Sequence, residues 1–217
     1  MTGRPAGILA RGPWEPGAIA SSWRGDAYQA PPEVDAAADA ALASLAQRDS
    51  PTHDGLAARM HELTVGESGI DMVCQPMRWS LRLLDDAADS LSALCVVRDA
   101  DDRWLAGRRA EWVASWPGRW ALGAGGSVEV GENPAETLPR ELHEEWGLVP
   151  DRLTVEALVR VPSGMVLLVG LARVPARSEV LMDPEHDTFE WWPADPNDWP
   201  EHADRPLRLM AGLLMEG

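Results

Sequence analysis

The chain has 217 residues, a formal net charge of −16, 45% hydrophobic residues and 25% charged ones. That length buries a real core, as one large domain or as a small domain with an added lobe, and the balance is that of a globular chain and not a disordered one. The negative charge repels a phosphate backbone and no basic stretch offsets it, which argues against a DNA or RNA polymer as partner; a small phosphorylated molecule stays open, because a metal and a few arginines can reverse the field inside one pocket.

The first thirty residues carry Gly, Pro, Arg and Trp without periodicity and read as an irregular arm. From Pro32, the residues Val34, Ala38, Ala41, Leu42 and Leu45 recur on one face of a short helix, which the stretch Ser50 to Asp54 ends. Between Leu63 and Leu84 the apolar pattern fits two short strands or one bent one. After the acidic break at Asp85, Asp86 and Asp89, a buried strand is expected at Leu94 to Val97, a turn at Asp99 to Asp102 and a strand at Trp104 to Ala106. Asn133 and Pro134 supply a helix N-cap and first-turn proline, and Gly147 and Pro150 a stop, giving a helix from about 134 to 146. Pro139 lies inside it, so the first turn is expected to kink or the regular helix to begin later. Val155, Ala157, Val159 and Val161 alternate, Pro162-Ser163-Gly164 turns, and Met165 to Ala172 completes a hairpin; Asp204 to Leu214 forms a final amphipathic helix. Cys74 and Cys95 have no metal-binding spacing and read as buried thiols of a reducing cytoplasm. Met165 to Ala172 is the longest apolar run and is too short to span a bilayer, so a cytoplasmic protein without membrane contact is expected.

The residues that carry chemistry lie between Gly126 and Leu148, in GSVEVGENPAETLPRELHEEWGL. On a helix, Glu141, Glu144 and Glu145 fall within about 100° of one another, while Leu138, Leu142 and Trp146 form the adjacent apolar face. One face packs and the other presents carboxylates. Like charges so spaced repel by roughly 0.2 to 0.5 kcal/mol per pair, and a hard cation such as Mg²⁺ or Mn²⁺ relieves them. The glycines at 123, 125 and 126 let backbone approach a ligand, and the Gly125 carbonyl is a candidate further ligand. Arg140 is placed to hold Glu132 or Glu141 by a charge-assisted hydrogen bond, in an orienting role. Trp112, Trp116, Trp120, Trp191 and Trp192 are candidates for stacking on a base, with a place in the core the more frequent fate of tryptophan. His143 lies opposite the carboxylates and is expected to be exposed.

Gly126, Glu132, Arg140, Glu141, Leu142, Glu144, Glu145, Gly147 and Leu148 fit the pattern G-x5-E-x7-R-E-U-x-E-E-x-G-U, where U is aliphatic, and in this the chain resembles the Nudix hydrolases. The resemblance implies an α/β fold, an α/β/α sandwich around a mixed sheet, over residues 90–217, with residues 1–89 as an N-terminal arm and small accessory lobe that shapes the pocket or a dimer contact. It implies a metal-dependent hydrolase that cleaves the diphosphate of a nucleoside diphosphate linked to another group. Glu144 and Glu145 match the family's metal ligands, Glu141 a ligand or the base, and Arg140 and Glu132 the supporting pair. The base often comes from a loop outside the box, and Glu185, in the acidic segment Asp183 to Glu190, is the candidate here. Pro162 lies close to, but not at, the position associated with ADP-ribose, and no tyrosine follows the box. The expected substrate is a nucleotide sugar such as ADP-ribose first and a nucleoside triphosphate second. The rival readings are a nucleotide-sensing module without catalysis, of a kind that often loses box glutamates where this chain keeps them all, and a prenyl diphosphate isomerase, which needs a protonating cysteine in a motif that neither Cys74 nor Cys95 occupies.

Overall fold

A computed structural model describes residues 5–48, 50 and 54–216. In chain order the elements are β1 (Gly7–Trp14), β2 (Ile19–Trp23), α1 (Pro32–Ala46), β3 (Leu56–Val65), β4 (Ile70–Arg78), β5 (Leu91–Asp99), β6 (Trp104–Arg109), β7 (Trp120–Leu122), β8 (Ala124–Ser127), α2 (Pro134–Trp146), β9 (Arg152–Arg160), β10 (Val166–Val174), β11 (His186–Trp192) and α3 (Arg205–Met215).

The main sheet runs β1-β9-β10-β5-β6-β11, with β7 paired to β6 and β8 to β5. It is mixed, because β10 runs parallel to β5 while its other pairings are antiparallel. Side chains alternate across a strand, so β5 feeds two cores at once. Cys95 and Val97 pack with Leu138, Leu142 and Trp146 of α2 on one face. Val96 packs with Trp104, Trp192 and with Leu207 and Ala211 of α3 on the other. The result is the expected α/β/α arrangement, with α2 and α3 on opposite faces.

A second sheet, β2-β4-β3, lies on the α2 side, where Ile19, Met60, Met72 and Cys74 join the same core as Leu138. Backbone links run from Ala58 N–H to the Val128 carbonyl and from Met60 N–H to the Asp89 carbonyl. The Asn133 side-chain amide also donates to the Ile19 carbonyl at 2.8 Å. The 3₁₀ turn Trp79–Leu83 that follows β4 is held by α1 through Ala38, Met77 and Leu81.

The N-terminal arm is more ordered than the sequence suggests. β1 joins the edge of the main sheet against β9, and irregularities between Ile8 and Ala10 and between Arg11 and Trp14 break the alternation that would have announced it. The segment 183–190 is not a free loop either, since β11 begins at His186 and pairs with β6. The regular helix α2 begins at Pro134 under a capping box of Asn133 and Glu136, so Pro139 does not delay its start. Gly147 ends it in the left-handed region at φ +64°, which suits glycine. Part of the stretch expected to end α1, residues 51–53, lies outside the described residues.

Candidate active site

The carboxylates are set by α2 and by the glycine-rich strand β8 beside it. Thr137, Leu138, Leu142 and Trp146 are fully buried, which fixes the rotation of the helix and turns Glu141 and Glu145 toward β8. At Gly126 a Cβ would run into the Glu141 carboxylate, so glycine is required for the strand to lie this close.

Arg140 ties the acidic residues together. Its Nε donates to Glu132 at 2.8 Å, and one terminal nitrogen donates to Glu141 at 2.7 Å and Glu144 at 3.1 Å. The other reaches the Ser127 carbonyl at 3.2 Å. Glu132 also accepts from Thr137 Oγ1 at 2.7 Å and from the Glu129 N–H at 3.0 Å. Burial pushes the Glu132 carboxyl upward, but these donors outweigh it and hold it below its usual range. Arg140 and Glu132 therefore stand together as expected, with Arg140 bridging to the helix carboxylates.

The remaining carboxylates are pushed the other way. Burial raises Glu141 to about 6 despite the opposing charge of Arg140. Burial also raises Glu145 well above the usual range, against the pull of Arg109. Glu145 is 5% exposed; one oxygen accepts from the Gly125 N–H at 3.2 Å, and the other is buried without a hydrogen-bond partner. Arg109 and His186 stop short of it, at 3.9 and 3.8 Å. Glu144 is largely exposed, and so is His143. Gly125 thus meets Glu145 through its N–H.

Opposite the helix, Glu185 sits at the rim of the cavity and is tied to Arg109 at 2.9 Å. His186 is buried, its Nδ1 lies 3.0 Å from Asp183, and its Nε2 has no hydrogen-bond partner. Burial lowers its affinity for a proton, although Asp183 opposes this. Arg82, from the 3₁₀ turn after β4, and Arg109, from β6, complete a cavity of about 320 Å³ together with Trp79 and Trp112. Sequence reasoning missed Arg82, Arg109 and His186. None lies in the box, and a histidine within an acidic run or an arginine after a strand gives no periodic signal. Of the tryptophans, Trp192 is core, Trp120 packs against it and His202, Trp191 meets Arg103, Trp116 is exposed, and Trp112 alone of the five lines this cavity.

The donors suit a hard divalent cation. They are carboxylate oxygens, two of them are costly to ionise in their present surroundings, and the orphaned oxygen of Glu145 lacks the positive partner that its burial demands. Among the described residues no three His, Cys, Asp or Glu side chains are already gathered into a coordination set. Arg140 pairs with Glu141 and Glu144 in this geometry, so an ion bound there would share those carboxylates with its guanidinium.

The family model of the NUDIX domain matches residues 89–210. The chain belongs to this family. It is 38% identical over 65 residues to an isopentenyl-diphosphate Delta-isomerase of Leifsonia xyli, covering 30% of this chain and 35% of that protein, so it spans about a third of that curated relative. Among solved structures, it is similar to the NUDIX domain of Shewanella oneidensis NrtR complexed with ADP ribose, at 21% identity and a TM-score of 0.48, over 58% of this chain and 86% of that one. It is also similar to the MutT NUDIX hydrolase of Burkholderia pseudomallei, at 23% identity and a TM-score of 0.48, over 58% and 97%.

Proposed function

We propose that the protein hydrolyses the diphosphate linkage of a nucleoside diphosphate joined to another group, with Mg²⁺ or Mn²⁺ held by Glu141, Glu144 and Glu145 and the Gly125 carbonyl as a further ligand. The observation that carries this reading is the carboxylate pair of buried Glu145 and largely buried Glu141, facing a cavity that also receives Arg82 and Arg109. A bound divalent ion supplies Lewis-acid stabilisation of the charge that develops on the phosphoryl oxygens. The chain's own residues do the rest. Arg140 and Glu132 fix the carboxylates, and Arg82 and Arg109 draw the diphosphate in and fix its orientation. Water forms a bond to one phosphorus while the bridging oxygen leaves with the other and takes the electron pair. The proton of the water passes to Glu185 or Glu141, both of which border the cavity. Trp112 offers a face for the base.

A nucleotide sugar such as ADP-ribose is the first expectation for the substrate and a nucleoside triphosphate the second. We assign residues 1–89 to an N-terminal arm, whose β1 joins the main sheet, and a small accessory lobe that completes the pocket, in keeping with the position of Arg82. An isomerase-like reading, suggested by the curated relative, needs an acidic thiol at the site. Cys74 and Cys95 are both buried and pushed up to about 12 by desolvation, and neither lines the cavity. Phosphate or mononucleotide release from a panel of nucleotides, with Mg²⁺ or Mn²⁺ and after chelation, tests the proposal. Metal-dependent release supports it. Tight nucleotide binding without turnover at any metal concentration would instead identify a sensing module.

A further inference from the structure

The cavity beside the carboxylates shares walls with a second hollow, and that hollow shares walls with a third. Arg82, Arg109, Gly125, Gly126 and Glu145 line both it and a passage of about 140 Å³. Leu94, Trp116, Leu122, Met165 and Leu167 line both that passage and a groove of about 420 Å³ against α3. This volume is of the size that encloses a substantial part of a small ligand.

The chemistry changes along the path. At the near end stand carboxylates and arginines; in the groove the walls are Val159, Val169, Leu207 and Met210, with Leu209 and Leu213 exposed at its edge. Only Arg11 and Glu156 bring charge there, and Arg11 already donates to the Leu213 carbonyl at 2.9 Å. A sugar or a base placed in this groove would bury several donors and acceptors with few partners, which is costly, whereas a hydrocarbon would bury none. Arg82 stands at the junction. It carries no carboxylate ion pair among the described residues, its guanidinium lies 5.5 Å from the Trp79 ring centre, and it donates to Ser127 Oγ, so its charge is unneutralised where the carboxylate cavity meets the passage and suits an anionic group there.

We propose that the group joined to the nucleoside diphosphate is apolar: the diphosphate lies between the carboxylates and Arg82, and a hydrocarbon chain runs through the passage into the groove against α3. This rests on the hydrolase reading above and deepens it by naming the second substituent. The reaction balances as alkyl-ADP plus water giving AMP and an alkyl phosphate: the water oxygen bonds to one phosphorus, the bridging P–O bond breaks, and the proton ends on the released phosphate. The walls that the groove shares with the passage, and the passage with the carboxylate cavity, favour a substrate chain over a second copy of the protein as occupant, since a flat protein surface would not follow the passage inward.

The test uses the full-length protein with Mg²⁺ and the methyl, butyl and decyl esters of ADP, with ADP-ribose as the polar comparison. The expected result is that kcat/KM rises by at least about a hundredfold from methyl to decyl, and that decyl-ADP exceeds ADP-ribose. Leu213→Asp, at the exposed rim, is expected to cut the decyl-to-methyl ratio about tenfold. Turnover of ADP-ribose with no dependence on chain length would overturn the inference and leave the hydrolase reading intact. A change in oligomeric state of Leu213→Asp with the chain-length ratio unaltered would overturn it in favour of a contact between copies. If none of the four is hydrolysed, the hydrolase reading fails; the inference is then read from calorimetric titration with Ca²⁺, where decyl-ADP binding no tighter than methyl-ADP overturns it.

Discussion

Glu145 is almost fully buried, with one oxygen lacking a hydrogen bond, so its ionisation opposes folding until a cation arrives. Its carboxyl and that of Glu141 are both raised in the folded protein, which means that the folded state holds their protons more tightly than the unfolded chain does. Stability from these groups is complete below the ordinary carboxylate range. It is lost as pH rises, between about 4.5 and about 6 for Glu141 and further upward for Glu145. Without metal, Glu145→Gln is therefore expected to melt above the parent at pH 8, with the gap closing toward pH 5. Thermal melts in chelator across that range decide it; a gap that does not change with pH contradicts the assignment. The spacing of Glu141, Glu144 and Glu145 was legible in the sequence, but their unequal burial was not. Which carboxylate goes under depends on how β8 folds back beside α2 and on β11, which approaches from a distant part of the chain. His186 was illegible for the same reason, since nothing local marks a histidine in an acidic run as buried.

Among the elements, α2 was legible at both ends because its caps are local: Asn133 and Glu136 close the start and Gly147 the finish. Gly147 adopts φ +64°, and a Cβ there would come within 2.9 Å of the Leu181 side chain. Gly147→Ala should cost about 1 to 2 kcal/mol, which is a fall in Tm of roughly 2 to 8 °C for a chain of this size. A melting point within about 1 °C of the parent would show that the cap is not under strain. At the other end of the site, Arg140→Ala would leave Glu132 and Glu141 without their shared partner; a loss of about 1 to 3 kcal/mol is expected, read from urea unfolding at pH 8, where both carboxylates are ionised. Unchanged stability would mean that water replaces the guanidinium. β1, β8 and β11 were not legible. β1 is broken by bulges, β8 is half glycine, and β11 hides its alternation under charge, so each is defined by its partner strand and not by its own residues.

For the whole molecule, residues before the family-matched segment are built into both sheets, and they deliver Arg82 to the cavity. A chain starting at Ser90 would strip β1 from the edge of β9 and uncover the apolar side of the core that Ile19, Met60 and Met72 close. Such a fragment should aggregate, because it combines a bare strand edge with exposed core. A soluble fragment with the parent's turnover would show the lobe to be dispensable. The box was legible from its local spacing and the layers from the resemblance that the box carries, but not the contribution of the first ninety residues, which act through contacts far away in the chain. In the proposed hydrolysis, the carboxylate face of α2 acts on a diphosphate through a cation. Turnover of Glu145→Gln against the parent at saturating Mg²⁺ tests it most directly, because the substitution keeps the shape and removes one anionic oxygen. A fall of about a hundredfold or more in kcat, with the fold intact, is the predicted result; turnover within about threefold of the parent would contradict it.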